Sequence, residues 1–352
     1  MRKLKIAQIA PLWFSIPPEK YGGIEWVVYN LVEGLAKKGH RVTLFASGDS
    51  KIPSRAKLVS VYPRSLKKDD ISWHDQTYNL LNLSRAFERA SEFDIIHSHI
   101  DLWETFFPSL VKTVSLHTIH NPLYSSSRVD SRLFILEKFK NNNYVAISKA
   151  QKNLSQVKLN FVDVIHNGIR IEEFKFNPKP KNHFVWSARI DKYKGIENAI
   201  EIAEKADINL LLAGRLDASQ VSYFKRVIEP HLNEKIKYIG EYGRREKSKF
   251  FREAKGLIYP IEWHEPFGLN MVEAQACGTP VIAFKMGSVP EVVKHGKTGF
   301  VVNSIEEGVR AVKRIDEIKR SECRKFVEEN FTQEIMVSRY EKLYYRLLKV
   351  LV

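Results

Sequence analysis

Short apolar runs alternate with amphipathic stretches along nearly all of this 352-residue chain, and no other feature limits its fold so tightly. The runs that read as strands are Lys5–Ala10, Val42–Ala46, Asp94–His97, Thr113–Leu116, Tyr144–Ile147 and Val162–Ile165. A second series follows at Phe184–Ser187, Asn209–Ala213, Ile236–Ile239, Gly256–Tyr259, Pro280–Ala283 and Gly299–Val302. Between them, helical spacing marks Gly23–Lys38, Gly195–Lys205, Ser219–Ile228, Arg244–Ala254 and Gly268–Cys277. Several strand segments are unbroken Val/Ile/Leu runs, as a sheet covered by helices on both faces requires. The expected class is α/β, with Rossmann-like, doubly wound parallel sheets. Right-handed crossovers then carry the functional loops to the strand C-termini.

The length fits two cores of about 150 residues each. Periodicity is lost over Gly168–His183, where Pro178 and Pro180 stand among lysines, so the boundary between two similar halves is expected there. Two halves joined by such a linker create a cleft, a default location for a ligand. Apolar residues at 44% and charged residues at 28% are globular values. No apolar run reaches the ~18–20 residues that span a bilayer. The basic and then apolar N-terminus is too short for a signal peptide and reads as a buried strand, so a cytoplasmic location is expected. Cys277 and Cys323 are the only cysteines, too few for a disulfide framework and in no zinc spacing. The net charge of +15 attracts polyanions, although a solvated lysine-rich surface explains it equally well. No nucleic-acid-binding motif accompanies it, so no nucleic-acid partner is expected.

Four groups of residues carry chemistry. In the first, Glu265 and Glu273 are separated by seven residues, and a helix begins between them at Pro266-Phe267-Gly268-Leu269. A helix N-terminus suits a phosphate, and two acceptor-only carboxylates suit sugar or ribose hydroxyls. An ordinary capped surface helix would look similar. Here, however, specific turn residues pin both ends, Pro266-Phe267-Gly268 and Gly278-Thr279-Pro280. The second group is Arg189 and Lys194, in the turn between the first strand and first helix of the second half. Two cations there can grip a diphosphate and neutralise charge on a leaving group. The third is Gly22-Gly23-Ile24-Glu25 after the first strand, which permits close approach of backbone to an anion. It is not a dinucleotide fingerprint, since neither GxGxxG nor a GxxxxGK[ST] phosphate loop occurs. The fourth is His97, His99 and Asp101 after one strand and His117 and His120 after the next. Their spacing fits no common zinc pattern, so hydrogen bonding to a sugar or acceptor is the preferred role. The chain has no DxD pair to hold a divalent ion on a diphosphate, and no metal is expected.

With these residues assembled, the sequence resembles the retaining glycosyltransferases of the large family 4 group, also known as glycosyl transferases group 1, which have the two-domain GT-B fold. The most specific match is EPFGLNMVEAQACGTPVIAFKMGSVPEVVKHGKTGFVV. PPEKYGGIEWVVYNLVEGLAKKGHRVTLFASGD and IHNGIRIEEF are also typical. The resemblance implies that Glu265 contacts the transferred sugar, Glu273 binds the ribose, and Arg189 and Lys194 bind the diphosphate. It also implies that Gly22 and Gly23 approach the phosphates or acceptor, with the Phe267-Gly268-Leu269 turn beside the donor. A histidine sits beside the anomeric carbon; the pattern TIHN favours His120 over His117, with both inside SLHTIHN. The implied domains are 1–168 with 332–352, binding acceptor, and 169–331, binding donor, with the C-terminal helix crossing back to the first. Metal independence follows from the same resemblance, basic groups and a helix dipole replacing the ion. No covalent nucleophile stands out, which agrees with front-face substitution.

The expected reaction moves a hexose from a UDP-, GDP- or ADP-sugar to a hydroxyl of a glycan, lipid-linked sugar or small molecule, with no further cofactor. Base contacts are assigned to Gly240 and Tyr242, and the acceptor side to Glu25, His97, His99, Asp101 and His117. Polysaccharide biosynthesis is the expected setting. The alternative is a non-catalytic nucleotide-sugar or polyanion-binding protein on the same fold; a phosphorylase or epimerase is a third. The loops 50–71 and 122–130 are expected to shape the acceptor pocket. The first holds Lys51, Arg55, Lys57, Arg64, Lys67 and Lys68. The final helix carries an apolar stripe of Met336, Val337, Tyr340, Leu343, Tyr344, Leu347, Leu348 and Leu351 beside Arg339, Lys342, Arg346 and Lys349. Packing on the protein explains the stripe; peripheral contact with an anionic membrane at its inner face is the competing expectation.

Overall fold

A computed structural model of the protein describes residues 2–125 and 130–349. Leu351 and residues 126–129 of the expected acceptor loop lie outside the described residues. The chain divides into two compact units, residues 1–168 with 333–352 and residues 169–332.

The first unit is built on a seven-stranded sheet. Its strands are β1 (Lys5–Ile9), β2 (Arg41–Phe45), β3 (Ala56–Val59), β4 (Ile95–Ser98), β5 (Val114–Ile119), β6 (Tyr144–Ala146) and β7 (Phe161–Val164). They lie in the order β3-β2-β1-β4-β5-β6-β7, and every pairing is parallel. The chain winds outward from β1 to β3 and then returns past β1 to β4. The order therefore reverses between β1 and β4, and ligands of open α/β sheets bind at such a reversal, beyond the strand C-termini. Helices cover the sheet, among them Gly23–Lys37 and Thr77–Glu88. Ala7, Ile9, Phe45, Leu83, Phe87 and Ile96 form one buried cluster on it. The segment 50–71, read as a loop, contains β3 and a 3-10 turn. Arg64 pairs with Asp69, Lys68 with Glu19 and Asp49, and Lys67 lies over Trp73. Half of its six cations are thus held by the unit itself.

The final helix, Gln333–Leu347, belongs to the first unit and buries Met336, Val337, Tyr340, Leu343 and Tyr344. Polar anchors fix it as well. Gln333 Nε2 donates to Asn30 O (2.7 Å), Glu341 pairs with Lys38 and His40, and Tyr345 donates to Arg2 O (2.7 Å). On its basic side, Arg339 and Arg346 both pair with Asp163. Packing on the protein therefore accounts for the stripe from Met336 to Tyr344 and for two of the four cations. No helix of the described residues is long and apolar enough to cross a membrane.

The second unit has six strands: β8 (Phe184–Ser187), β9 (Leu210–Ala213), β10 (Ile236–Tyr238), β11 (Gly256–Tyr259), β12 (Val281–Phe284) and β13 (Gly299–Val302). Their order is β10-β9-β8-β11-β12-β13, all parallel, with the reversal between β8 and β11. Among its helices are Ile196–Ala206, Arg244–Glu253, Leu269–Ala276, Ile305–Lys313 and Arg320–Asn330. The expected helix 219–228 is irregular, opening as a 3-10 turn and closing as a wide π turn over Phe224–Ile228. The stretch 169–183, read as a linker, is built into this unit. Phe174 is fully buried, Arg324 donates to its carbonyl, and Asn177 Nδ2 donates to Arg252 O (2.8 Å). Lysines and prolines hid its single buried aromatic anchor.

Candidate functional site

In the second unit, the residues expected to bind a donor gather where the strand order reverses. The turn after β8 carries Arg189 and Lys194, and the loop after β11 carries Glu265. Lys194 Nζ lies 3.0 Å from Glu265 Oε2 and 3.8 Å from the centre of the Trp263 ring. The same carboxylate oxygen accepts from Trp263 Nε1 (2.9 Å) and Tyr259 Oη (3.3 Å). Arg189 is half-exposed, and its Nη2 lies 3.0 Å from Asp191 Oδ2.

Two glycines make this approach feasible. Gly195 ends the turn with φ 71°, and a Cβ there would lie 1.9 Å from the carbonyl oxygen of Pro260 at the end of β11. Gly287, at φ 55°, lets the loop after β12 lie against Glu265; a Cβ would meet Glu265 O at 2.4 Å. Ser288 then donates its N–H to Glu265 O (2.9 Å) and its hydroxyl to Phe267 O (2.9 Å). The glutamate loop is therefore fixed through its backbone carbonyls as well as through the Glu265 side chain.

Gly268, at φ 82°, opens the helix Leu269–Ala276, and no side chain caps that end. Its first turn retains the partial positive charge that favours an anion. Asn270 Nδ2 bonds the carbonyl of Ser187 at the end of β8 (2.5 Å), tying the helix start to the strand that leads to Arg189. Leu269 is half-buried, whereas the Phe267 side chain is buried against Phe331. Tyr242 bonds Ser187 through its hydroxyl and packs on Phe250; Gly240 has φ 79° and open space where a Cβ would stand.

Glu273 departs from a freely exposed acid. It is 2% exposed and lies between Arg244, 2.7 Å from its Oε1, and Lys247 on its Oε2. Arg244 also pairs with Glu173 (2.6 Å) and stacks over Phe174. Burial lowers the Lys247 ammonium from its ordinary value, against the pull of Glu273.

In the first unit, Gly22 and Gly23 open the helix Gly23–Lys37 after β1; Gly22 has φ 145°. Glu25 is buried in the first turn, with its Oε2 close over Gly22. The histidines separate into two kinds. His99 and His120 lie just beyond β4 and β5, and their rings bond each other, Nδ1 to Nε2, at 3.0 Å. His97 and His117 lie inside those strands and are fully buried. His97 bonds Tyr344 Oη (2.7 Å) and Thr118 Oγ1 (2.7 Å), and His117 faces the buried Glu104 at 3.2 Å. The expectation that these two line an acceptor pocket is corrected: both are fully buried inside strands, His97 with both ring nitrogens bonded to internal partners and His117 with Nδ1 turned to Glu104. Asp101 accepts from the backbone N–H groups of His120 (2.9 Å) and Asn121 (3.0 Å), holding the turn that carries His120. Burial drives His97 and His99 well below the ordinary imidazole range and His120 down to about 3, so all three rings are neutral at pH 7. No group of three or more His, Cys, Asp or Glu side chains among the described residues could hold a metal ion.

Comparison with known proteins decides the family. Residues 21–173 match the family described as Glycosyltransferase Family 4, and residues 169–332 the one described as Glycosyl transferases group 1. The chain belongs to the group 1 glycosyltransferases. The O-antigen chain mannosyltransferase C of Escherichia coli is 22% identical over 94% of this chain and 96% of its own. The sucrose-phosphate synthase of Thermosynechococcus elongatus has a similar structure, with a TM-score of 0.81 at 21% identity over 99% of this chain and 100% of its own. Anabaena HepE in complex with UDP and glucose gives a TM-score of 0.72 at 16% identity, over 96% and 98%. The fold of this glycosyltransferase is GT-B, with two Rossmann-like parallel-sheet domains.

Sequence reasoning missed several residues that the structure places beside the candidate ones. Trp263 stands inside the EWHEPFG segment, where an indole two residues before a key carboxylate was a readable signal. Arg244 and Lys247 are three apart and so share one helix face, which could have marked them as a pair. Gln8, Tyr340 and Tyr344 gave no local signal. They meet the histidines only through sheet pairing and the returning helix.

Proposed function

We propose that this glycosyltransferase moves a hexose from a UDP-, GDP- or ADP-sugar to a hydroxyl acceptor, with retention at the anomeric carbon and without a metal ion. The observation that carries this reading is the cluster at the β8/β11 reversal. Lys194, Glu265 and Trp263 meet there, and the uncapped helix start at Gly268 belongs to the same loop. Lys194 and Arg189 bind the diphosphate, and Glu265 fixes hydroxyls of the transferred sugar. Glu273, held by two cations, presents what remains of its acceptor capacity to the ribose, and Gly240 and Tyr242 flank the base.

In the reaction, the bond between the anomeric carbon and the diphosphate oxygen breaks. The acceptor oxygen bonds to the same face of the carbon, and its proton passes to the departing phosphate. Negative charge grows on that phosphate, where Lys194, Arg189 and the helix dipole stabilise it most. The first unit takes the acceptor, with His120, His99, Glu25 and Gly22–Gly23 on that side. A glycan or lipid-linked acceptor in polysaccharide biosynthesis is supported by the similarity to an O-antigen mannosyltransferase.

The test is turnover of UDP-, GDP- and ADP-hexoses followed by proton NMR, with and without EDTA, water serving as acceptor when none is added. The expected result is release of the nucleotide from one donor class, unaffected by EDTA, with the anomeric configuration kept. An inverted product would refute retention. Saturable binding without any turnover would support the non-catalytic alternative, and release of a sugar phosphate the phosphorylase.

A further inference from the structure

A continuous hydrogen-bonded chain runs through the first unit from the C-terminal helix to His120. Tyr340 Oη meets Thr118 Oγ1 at 2.9 Å, and Thr118 meets His97 Nε2 at 2.7 Å. His97 Nδ1 meets Tyr344 Oη at 2.7 Å, and Gln8 Nε2 donates to Tyr344 Oη at 2.9 Å. Gln8 Oε1 lies 3.0 Å from His99 Nε2, and His99 Nδ1 lies 3.0 Å from His120 Nε2. Every member except His120, at 8%, is no more than 1% exposed, or lies inside the buried face of β5. Water therefore cannot replace a partner, and an unmade bond here costs the full desolvation of its group.

That isolation fixes the protons. The carbonyl oxygen of Gln8 can only accept, so Nε2 of His99 carries a proton. A neutral imidazole has one N–H, so Nδ1 of His99 accepts. Its sole partner in the chain is Nε2 of His120, which must donate. The lone pair of His120 is thereby assigned to Nδ1, for which no bonding partner is found among the described residues. We propose that His99, backed by Gln8, is a positioning residue that locks His120 into the Nε2–H tautomer and so presents Nδ1 as a hydrogen-bond acceptor for a hydroxyl. The inference rests on the reading of His120 as a site residue and deepens it: the nitrogen offered to substrate receives a proton-bearing group rather than donating to one. It also gives the returning helix a function, since Tyr344 holds the amide of Gln8 in the orientation that starts the relay.

The experiment is a long-range nitrogen–proton correlation spectrum of the full chain, labelled with 15N-histidine, at pH 7. The His120 signals are assigned by their loss in His120→Asn. The expected result is a protonated Nε2 and a lone-pair Nδ1 on both His99 and His120 in the unaltered protein. A proton on Nδ1 of His120, or an averaged mixture of tautomers, would overturn the proposal; the first is what an inverted Gln8 amide would produce. Gln8→Leu removes the acceptor at the head of the relay and should give the averaged mixture at His120 with native circular dichroism, whereas an unchanged tautomer in that variant also overturns it. Turnover of the donor by Gln8→Leu should fall about tenfold in kcat with donor KM unchanged, below the roughly 10²–10⁴-fold of a group that itself transfers a proton, as suits a residue acting through another. The spectrum needs no substrate, so it can fail or succeed independently of the catalytic reading. That reading is tested separately by full turnover in His120→Asn, which would remove His120 from the reaction whatever its tautomer.

Discussion

Lowering the pH from 6.5 to 5 tests the buried relay as a stability device. His97, His99 and His120 are kept neutral by burial, their folded affinities for a proton lying well below the ordinary value. The unfolded chain binds protons at these sites near pH 6.5 and the folded chain does not. The stability these groups contribute is therefore present above about pH 6.5 and lost as the pH falls towards 3, where His120 itself titrates. For one such histidine the loss between pH 6.5 and 5 is on the order of 2 kcal/mol, hence on the order of 5 kcal/mol for three. Asp101 acts in the opposite sense. Burial pushes its carboxyl up to about 7, so it gains a proton in the folded state first, offsetting on the order of 2 kcal/mol over the same window. The net loss is on the order of 3 kcal/mol, or a fall of roughly 6–12 °C in the melting temperature of a unit this size. The assay is urea denaturation at half-unit steps of pH, following the transition of the first unit by near-ultraviolet circular dichroism. His97→Asn should flatten the slope by about half. Stability constant to within 1 kcal/mol from pH 6.5 to 5 would refute the reasoning, because three imidazoles held neutral by burial could not then be present.

Further predictions concern the second unit. Lys194→Ala should reduce turnover by about 10²-fold or more, as expected for a group that stabilises a leaving diphosphate, measured as kcat with the best donor. Glu273→Gln leaves Arg244 and Lys247 facing a neutral group and should destabilise the unit by about 3 kcal/mol. Lys247→Met leaves Glu273 paired with Arg244 and should cost less than half as much, so denaturation curves showing the reverse order would contradict the assigned pairing. Gly195→Ala forces a side chain against the Pro260 carbonyl and a strained φ, and should lower stability by more than about 1 kcal/mol while weakening donor binding, read by calorimetry.

Much of the architecture was legible because a buried parallel strand advertises itself as an unbroken apolar run. β3 was not: Ala56-Lys57-Leu58-Val59 is a sheet edge with no fully buried residue, so its sequence carries no such run. The irregular turns over Ala218–Ile228 keep the apolar spacing of a helix, and spacing cannot distinguish the two. Within the site, Arg189, Lys194, Glu265 and Gly268 belong to two short turns whose chemistry is local. The histidines were harder. Ending the strands at His97 and Leu116 places His117 in a loop, whereas β5 continues to Ile119 and turns that side chain into the core. The pairing of Glu273 with Arg244 and Lys247 joins residues on different helices, and the link from Gln8 to Tyr344 spans almost the whole chain. Neither leaves a mark in any local window.

The donor site assigned to the β8/β11 reversal requires that it bind a nucleotide diphosphate. Calorimetric titration of the full chain with UDP, GDP, ADP and TDP sugars, in EDTA, measures this directly, with Arg189→Ala and Lys194→Ala as controls. The predicted result is saturable binding of one base class that each substitution weakens by at least about tenfold. Binding that both substitutions leave unchanged would contradict the assigned site, and no binding of any nucleotide would contradict the proposed donor.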